Sequence, residues 1–212
     1  MNNFFSVLIP SYNRPEYIEK TINSVLNNNY NNYEILVSDD NSPRQDEIKK
    51  INEKYDKKIV KFFYQKKNIG EANNRQFLID KSLAHYVIFL SDDDLLSQNC
   101  LKCLNTYINN NKKTKLFLFG FIQIDEKQNI KKNRRSLLKI NLNSYKIKER
   151  VLQFSDFPYY YFSPVTFCIE KQVCSQIKTS DEVGIADDLA FISECLLQNI
   201  NSIIIPEKLM FY

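Results

Sequence analysis

Three consecutive carboxylates, Asp92-Asp93-Asp94, follow the apolar run Tyr86-Val87-Ile88-Phe89-Leu90 and Ser91. Three negative charges so close repel one another and call for a counter-charge. A divalent cation that also carries phosphate fits, because hard cations take carboxylate oxygens and bridge to phosphate oxygens. A simpler account is an acidic first turn on the helix that follows, where carboxylates complement the helix dipole. Two further pairs weaken that account. Asp39-Asp40 ends the run Tyr33-Glu34-Ile35-Leu36-Val37-Ser38, and Asp187-Asp188 precedes Leu189-Ala190-Phe191. Two of the three clusters share one construction: an apolar strand, then carboxylates, then a loop or helix start. A merely solvated acidic patch has no reason to recur at strand ends.

Those strands belong to a repeating pattern. Strands are expected over 5–10, 34–38, 59–64, 86–90 and 116–124. Helices are expected over 16–27, 45–55, 71–84 and 99–109, with apolar stripes such as Ile18, Ile22, Val25 and Leu26. Alternation of this kind predicts an α/β fold with a mostly parallel, Rossmann-like sheet flanked by helices. Carboxylates at strand ends would then face the crevice where such sheets bind ligands. After residue 124 the pattern loosens. A helix is expected over 146–157, an aromatic loop over 158–164, a strand over 165–169, a helix over 187–198 and a last strand over 202–205. No linker or repeat divides the chain. One domain is expected over 1–212, with a regular half at 1–122 and an irregular half at 123–212.

Composition narrows the functional classes. The 212 residues are 43% hydrophobic, with a formal net charge of +4. That is enough for one α/β domain. No apolar run is long enough for a membrane span, and the N-terminus lacks the pattern of a signal peptide. The five cysteines, Cys100, Cys103, Cys168, Cys174 and Cys195, are irregularly spaced and point to a reducing compartment rather than a disulfide framework. The basic runs at 112–115 and 131–135 suit a solvated loop or contact with an anionic membrane surface. No aromatic residues interleave with them, so nucleic acid is not an expected partner. The chain has only three glycines, Gly70, Gly120 and Gly184. That excludes both the GxGxxG dinucleotide fingerprint and the P-loop. A nucleotide here must be held by acidic groups and a metal rather than by a glycine-rich nest.

Five ordered segments resemble a known family. They are Ser6-Val7-Leu8-Ile9-Pro10-Ser11-Tyr12-Asn13-Arg14, Ile35 through Ser42, Asn68-Ile69-Gly70 with Arg75 beyond it, Tyr86 through Asp94, and Asp187-Asp188. Together they resemble the family 2 glycosyltransferases, inverting enzymes of the GT-A fold with a DxD-type metal motif. The likeness is strongest over 5–96 and returns at 184–206. Ser91 stands where many members have the first Asp of the string, Gln76 replaces Asn after Arg75, and Asp187 replaces Glu. The stretch 125–165 matches nothing recognisable.

The resemblance implies roles. Asp94, with Asp92, would hold Mn²⁺ or Mg²⁺. Pro10, Tyr12, Asn13, Arg14, Asp39, Asp40, Asn68, Gly70, Arg75, Asp92 and Asp93 would bind the nucleotide. In that set Asp39 or Asp40 would meet the uracil imide N–H, and Tyr12 would stack on the base. Asp188 would be the general base and Asp187 its support. The implied partners are a nucleotide-diphosphate sugar, UDP-linked by expectation, and a glycan or lipid-linked acceptor. The implied setting is cytoplasmic surface-polysaccharide synthesis, with peripheral contact at the inner membrane surface. The alternatives are a non-catalytic nucleotide-sugar-binding protein and a nucleotidyltransferase of similar fold. The glycine-free loop Pro10 to Pro15 argues against the second.

Overall fold

The computed structural model describes residues 1–125, 150–152, 167–177 and 187–211. The first part of the chain alternates strictly: β1 (Phe5–Ser11), α1 (Pro15–Leu26), β2 (Tyr33–Asp39), α2 (Gln45–Asn52), β3 (Val60–Tyr64), α3 (Glu71–Lys81) and β4 (Tyr86–Phe89). Then come β5 (Leu95–Leu96), α4 (Cys100–Asn110), β6 (Leu116–Ile122), β7 (Arg150–Leu152), β8 (Phe167–Glu170), α5 (Lys171–Gln176), α6 (Asp187–Leu197) and β9 (Ser202–Phe211). The nine strands of the described residues form one sheet in the order β3-β2-β1-β4-β8-β6-β9-β5, with β7 also on β9.

The two-residue period of the strands sorts side chains onto two faces. Val7, Ile9, Ile35, Val37 and Ile88 pack against α1 and α4, through Ile18, Ile22, Leu101 and Leu104. Their neighbours Leu8, Leu36, Val87 and Phe89 pack on the opposite face against α3, α5 and α6, through Leu78, Val173, Phe191 and Ile192. A strand covered on both faces needs no polar alternation, which is why β1 and β2 carry the continuous apolar centres Val7-Leu8-Ile9 and Ile35-Leu36-Val37. Pro15 opens α1, where its fixed φ suits the first helical position.

The expected parallel pairing holds for β3-β2-β1-β4. Beyond β4 the sheet is mixed: β8 runs antiparallel to β4 and β6, and β9 is parallel to β6. The helix expected at 146–157 is overturned in part, because residues 150–152 form β7. There Arg150, Val151 and Leu152 pair with Ile204, Ile203 and Ser202, and a strand partner outweighs a short helical pattern. Strand β9 runs on to Phe211, past the expected end at 205. Its register against β6 shifts between Leu118↔Ile204 and Gly120↔Lys208. Pro206 lies in that irregularity, where a missing N–H breaks no ladder bond. The basic run 131–135, the aromatic loop 158–164 and Gly184 lie outside the described residues.

Candidate active site

In the order β3-β2-β1-β4 the chain reverses direction of progress between β1 and β4, the position where open α/β sheets form a ligand crevice. Three loops meet there, after β1, β2 and β4. The first two are laced together by Ser42. Its hydroxyl donates to Asp39 Oδ1 and accepts from the Asn13 N–H at 2.7 Å. Asp39 Oδ2 accepts from the Ser42 N–H at 3.1 Å and from Gln45 Nε2 at 2.8 Å. Asn13 and Asn41 both sit at φ 59°, a left-handed conformation that asparagine tolerates. Asp39 is thus the internal brace of the turn, while Tyr12 stands half-exposed on the loop beside it.

Asp40 works outward from the same strand end. Its Oδ1 accepts from the Ile69 N–H at 2.8 Å and its Oδ2 from the Gly70 N–H at 3.0 Å. Asn68 Oδ1 also accepts from the Gly70 N–H, at 3.1 Å. Gly70 has φ 82° and ψ 157°, a region essentially confined to glycine. The Asn68-Ile69-Gly70 segment is therefore a strap clamped onto the end of β2. It leads into α3, where Arg75 donates to Glu71 Oε1 at 2.6 Å and lies over the Phe89 ring at 5.7 Å.

The triplet divides into unlike members. Asp92 and Asp94 are 5% and 3% exposed, and the Oδ2 of each meets no hydrogen-bond donor among the described residues. The Asp93 side chain is 43% exposed. Arg14 reaches across from the β1 loop, donating to Asp93 Oδ2 at 2.7 Å and to Asp92 Oδ1 at 3.3 Å. Burial pushes the Asp92 carboxyl up to about 6, against the pull of the Ser11 hydroxyl and then of Arg14. Burial, then repulsion from Asp93, pushes Asp94 up to about 8.

Helix α1 holds this loop from behind. The Thr21 hydroxyl donates to the Asp92 carbonyl at 2.8 Å, and Ser24 Oγ accepts from the Leu96 N–H at 2.9 Å. Just past the helix end, Asn28 Oδ1 accepts from the Leu101 N–H at 3.1 Å.

Asp187 and Asp188 open α6, and their side chains lie outside the described residues. Their helix is tied to β4 through rings. Phe191 stacks on Phe167 at 5.5 Å, and Phe167 meets Phe89 at 5.7 Å. Phe89 ends β4, three residues before the triplet, so the first turns of α6 are fastened to the strand that presents it.

Residues 6–188 match the family described as Glycosyl transferase family 2. The chain belongs to that family. A poly(ribitol-phosphate) beta-N-acetylglucosaminyltransferase, TarP, of Staphylococcus aureus is 39% identical over 105 residues, covering 48% of this chain and 32% of TarP. The GalNAc(5)-diNAcBac-PP-undecaprenol beta-1,3-glucosyltransferase of Campylobacter jejuni is 33% identical over 130 residues, covering 60% of this chain and 40% of that enzyme. The chain thus spans well under half the length of these relatives. Among solved structures, S. aureus TarS bound to UDP-GlcNAc superposes with a TM-score of 0.79 at 20% identity, over 99% of this chain and 58% of that one. A mannosyltransferase from Pyrobaculum calidifontis, bound to GDP-Man and Mn²⁺, gives a TM-score of 0.73 at 12% identity, over 100% of this chain and 57% of that one. These structures share the GT-A fold, and the family 2 chain has it too.

The donor set suits the metal that the family implies. The Oδ2 atoms of Asp92 and Asp94, buried and without a donor among the described residues, are hard oxygen atoms of the kind such a cation takes. Among the described residues no three ligating side chains converge on one point. One or two carboxylates would suffice if phosphate completed the shell, as Mg²⁺-type ions accept. The structure places Asn13, Arg14, Asp39, Asp40, Asn68, Gly70, Asp92, Asp93 and Asp94 on the loops and strap at the carboxyl ends of β1, β2 and β4, joined by Asn13–Ser42–Asp39, Arg14–Asp92 and Asp40–Gly70 bonds. Sequence reasoning overlooked Ser42 and Gln45, which brace Asp39, and Thr21 and Ser24, which hold the triplet loop. A hydroxyl on the buried stripe of α1 was the available signal for Thr21.

Proposed function

We propose that this chain is an inverting glycosyltransferase moving a hexosyl or N-acetylhexosaminyl group from a UDP-sugar to a hydroxyl of a glycan, polyol-phosphate or lipid-linked acceptor. The observation that carries the reading is the pair of buried, donorless Oδ2 atoms on Asp92 and Asp94 at the β1/β4 crevice. The names of TarP and of the C. jejuni enzyme support an acceptor of the surface-polymer class. We read the chain as one catalytic domain, with donor binding in 1–122 and acceptor binding in 123–212. We place it at the cytoplasmic membrane face; among the described residues no helix is long and apolar enough to cross a membrane.

Asp94 with Asp92 would hold Mn²⁺ or Mg²⁺ against the donor diphosphate. Such an ion neutralises the charge that accumulates as UDP leaves. Pro10 shapes the loop on which Tyr12 stacks against the base. Asp40, held in place by the strap and with Asp39 bracing the turn, accepts the uracil imide N–H, since an ionised carboxylate is purely an acceptor. Asn13, Asn68 and Gly70 set the loop backbones around the nucleoside. Arg14, Arg75 and Asp93 line the diphosphate side. Asp188, supported by Asp187, removes the acceptor hydroxyl proton as that oxygen bonds to the anomeric carbon. The bond from that carbon to the diphosphate oxygen breaks in the same displacement, with inversion.

The deciding experiment pairs UDP calorimetry in Mn²⁺ with turnover of UDP-GlcNAc in the presence of poly(ribitol phosphate) or a lipid-diphosphate-linked glycan. Asp188→Asn should keep UDP affinity and lose about 10²-fold or more in turnover, the range expected for a positioned general base. Full turnover in the variant would remove Asp188 from the role.

A further inference from the structure

Arg14 stands at the junction of the β1 and β4 loops, and its surroundings give it two sets of partners. Its backbone is fixed, between the left-handed Asn13 bonded to Ser42 and Pro15 at the start of α1. Its side chain is half-exposed, at 50% against 9% for Arg75, so water can reach it. The guanidinium now pairs with Asp92 and Asp93, and Glu71 also lies within electrostatic reach of it. The same Asp92 that offers Oδ1 to Arg14 has an Oδ2 without a donor. A cation arriving beside Asp94 would thus share the Asp92 carboxylate with the Arg14 guanidinium, like charge against like.

We propose that Arg14 is an exchangeable counter-ion: it neutralises Asp92 and Asp93 in the metal-free protein, then yields them to the divalent cation and turns its guanidinium to the donor diphosphate. The exchange rests on the metal-dependent donor site proposed above. It makes the binding of metal and of nucleotide reciprocal. Metal alone binds against Arg14 and so weakly. Nucleotide gives the displaced guanidinium a better anion than the carboxylates it left, in the bidentate geometry that arginine favours with phosphate.

Titrating Mn²⁺ alone, and UDP at saturating Mn²⁺, into the full chain tests the idea calorimetrically, with wild type, Arg14→Gln and Arg14→Lys side by side. Arg14→Gln should bind Mn²⁺ alone about three- to fivefold tighter, the size of an exposed ion pair removed from competition. The same variant should bind UDP about tenfold more weakly, for one lost charge-assisted bond. Arg14→Lys should fall between on both counts, and it carries the same opposite-sign test if the glutamine variant does not fold. Weaker binding of both ligands would make Arg14 a structural support and overturn the exchange. Unchanged Mn²⁺ affinity with weaker UDP would make it a plain phosphate contact and overturn it too. If neither wild type nor Arg14→Gln binds Mn²⁺, the metal reading itself falls and the exchange with it.

Discussion

Strand β2 carries a buried carboxylate near each end, and the two ends are built on different terms. At the amino end, Glu34 is saturated. Its Oε1 accepts from Ser6 Oγ at 2.6 Å and from the Leu83 N–H at 2.7 Å, and its Oε2 accepts from Lys61 Nζ at 2.8 Å. Ser6 Oγ in turn accepts from the Ala84 N–H at 3.2 Å. At the carboxyl end Asp39 and Asp40 are also bonded, but the neighbouring Asp92 and Asp94 keep buried oxygens that meet no donor among the described residues. A closed network ties β1, β2, β3 and the end of α3 together and has nothing left to offer a ligand. An open one costs stability and keeps its acceptors for something that arrives later.

The sharpest way to break this comparison is to remove a carboxylate from each end. Glu34→Ala strands the donors of Ser6 and Leu83 and should cost about 3 kcal/mol, read by thermal or denaturant unfolding. Lys61 is partly exposed and can hydrate, which keeps the figure below that for a fully buried pair. UDP affinity of the folded variant should not change.

Asp94→Asn should act in the other direction and less strongly, stabilising the metal-free protein by about 2 kcal/mol at neutral pH while abolishing the metal-dependent part of UDP binding. The sign follows from linkage. Folding raises the Asp94 pKa from 3.8 to about 8, so the folded state holds a proton that the unfolded chain has released. Stability of the metal-free protein should therefore decline as pH rises from about 4 to about 8 and level off above. Asp92, raised to about 6, adds to the lower part of that decline. Unfolding curves across this range should flatten in Asp94→Asn, and Mn²⁺, which binds the ionised form, should restore wild-type stability at the upper end. Destabilisation by both Glu34→Ala and Asp94→Asn at neutral pH would erase the distinction between the two ends.

The smallest effect sharpens the comparison. Thr21→Val keeps shape but leaves the Asp92 carbonyl without its hydroxyl donor, a loss of about 1 kcal/mol. A loop held in place for a ligand should show that loss chiefly as a few-fold drop in Mn²⁺ or UDP affinity. A loss that appears wholly in melting temperature would make the bond ordinary packing.

Much of this was legible in the sequence, for local reasons. The alternation of runs such as Val7-Leu8-Ile9 with helical stripes such as Ile18-Ile22-Val25 made the order of strands and helices up to β4 readable, and the strand-end placing of the carboxylates after β2 and β4 was readable with it. Contacts that join distant segments were not legible. Nothing near Arg14 shows that it will face Asp92, 78 residues on. Asp39 and Asp40 look alike in a string, yet one turns back to Ser42 and the other reaches the Gly70 strap. At residues 150–152 a weak helical pattern gave way to pairing with β9, a partner that no local window contains.

The place of β8 in the sheet has a consequence for how the chain is made. It lies between β4 and β6, so the centre of the sheet closes only when Ile169 reaches Val87 and Glu170 reaches Tyr86. A ribosome adding about 5–20 residues per second leaves the edge of β4 uncovered for roughly five to fifteen seconds after that strand has emerged. Through that interval the nascent chain carries a bare strand edge, Tyr86-Val87-Ile88-Phe89, of the kind that recruits other strands. The step most exposed to misassembly is thus the late arrival of a four-residue strand, and fragments ending before it should aggregate even though they contain the loops after β1, β2 and β4.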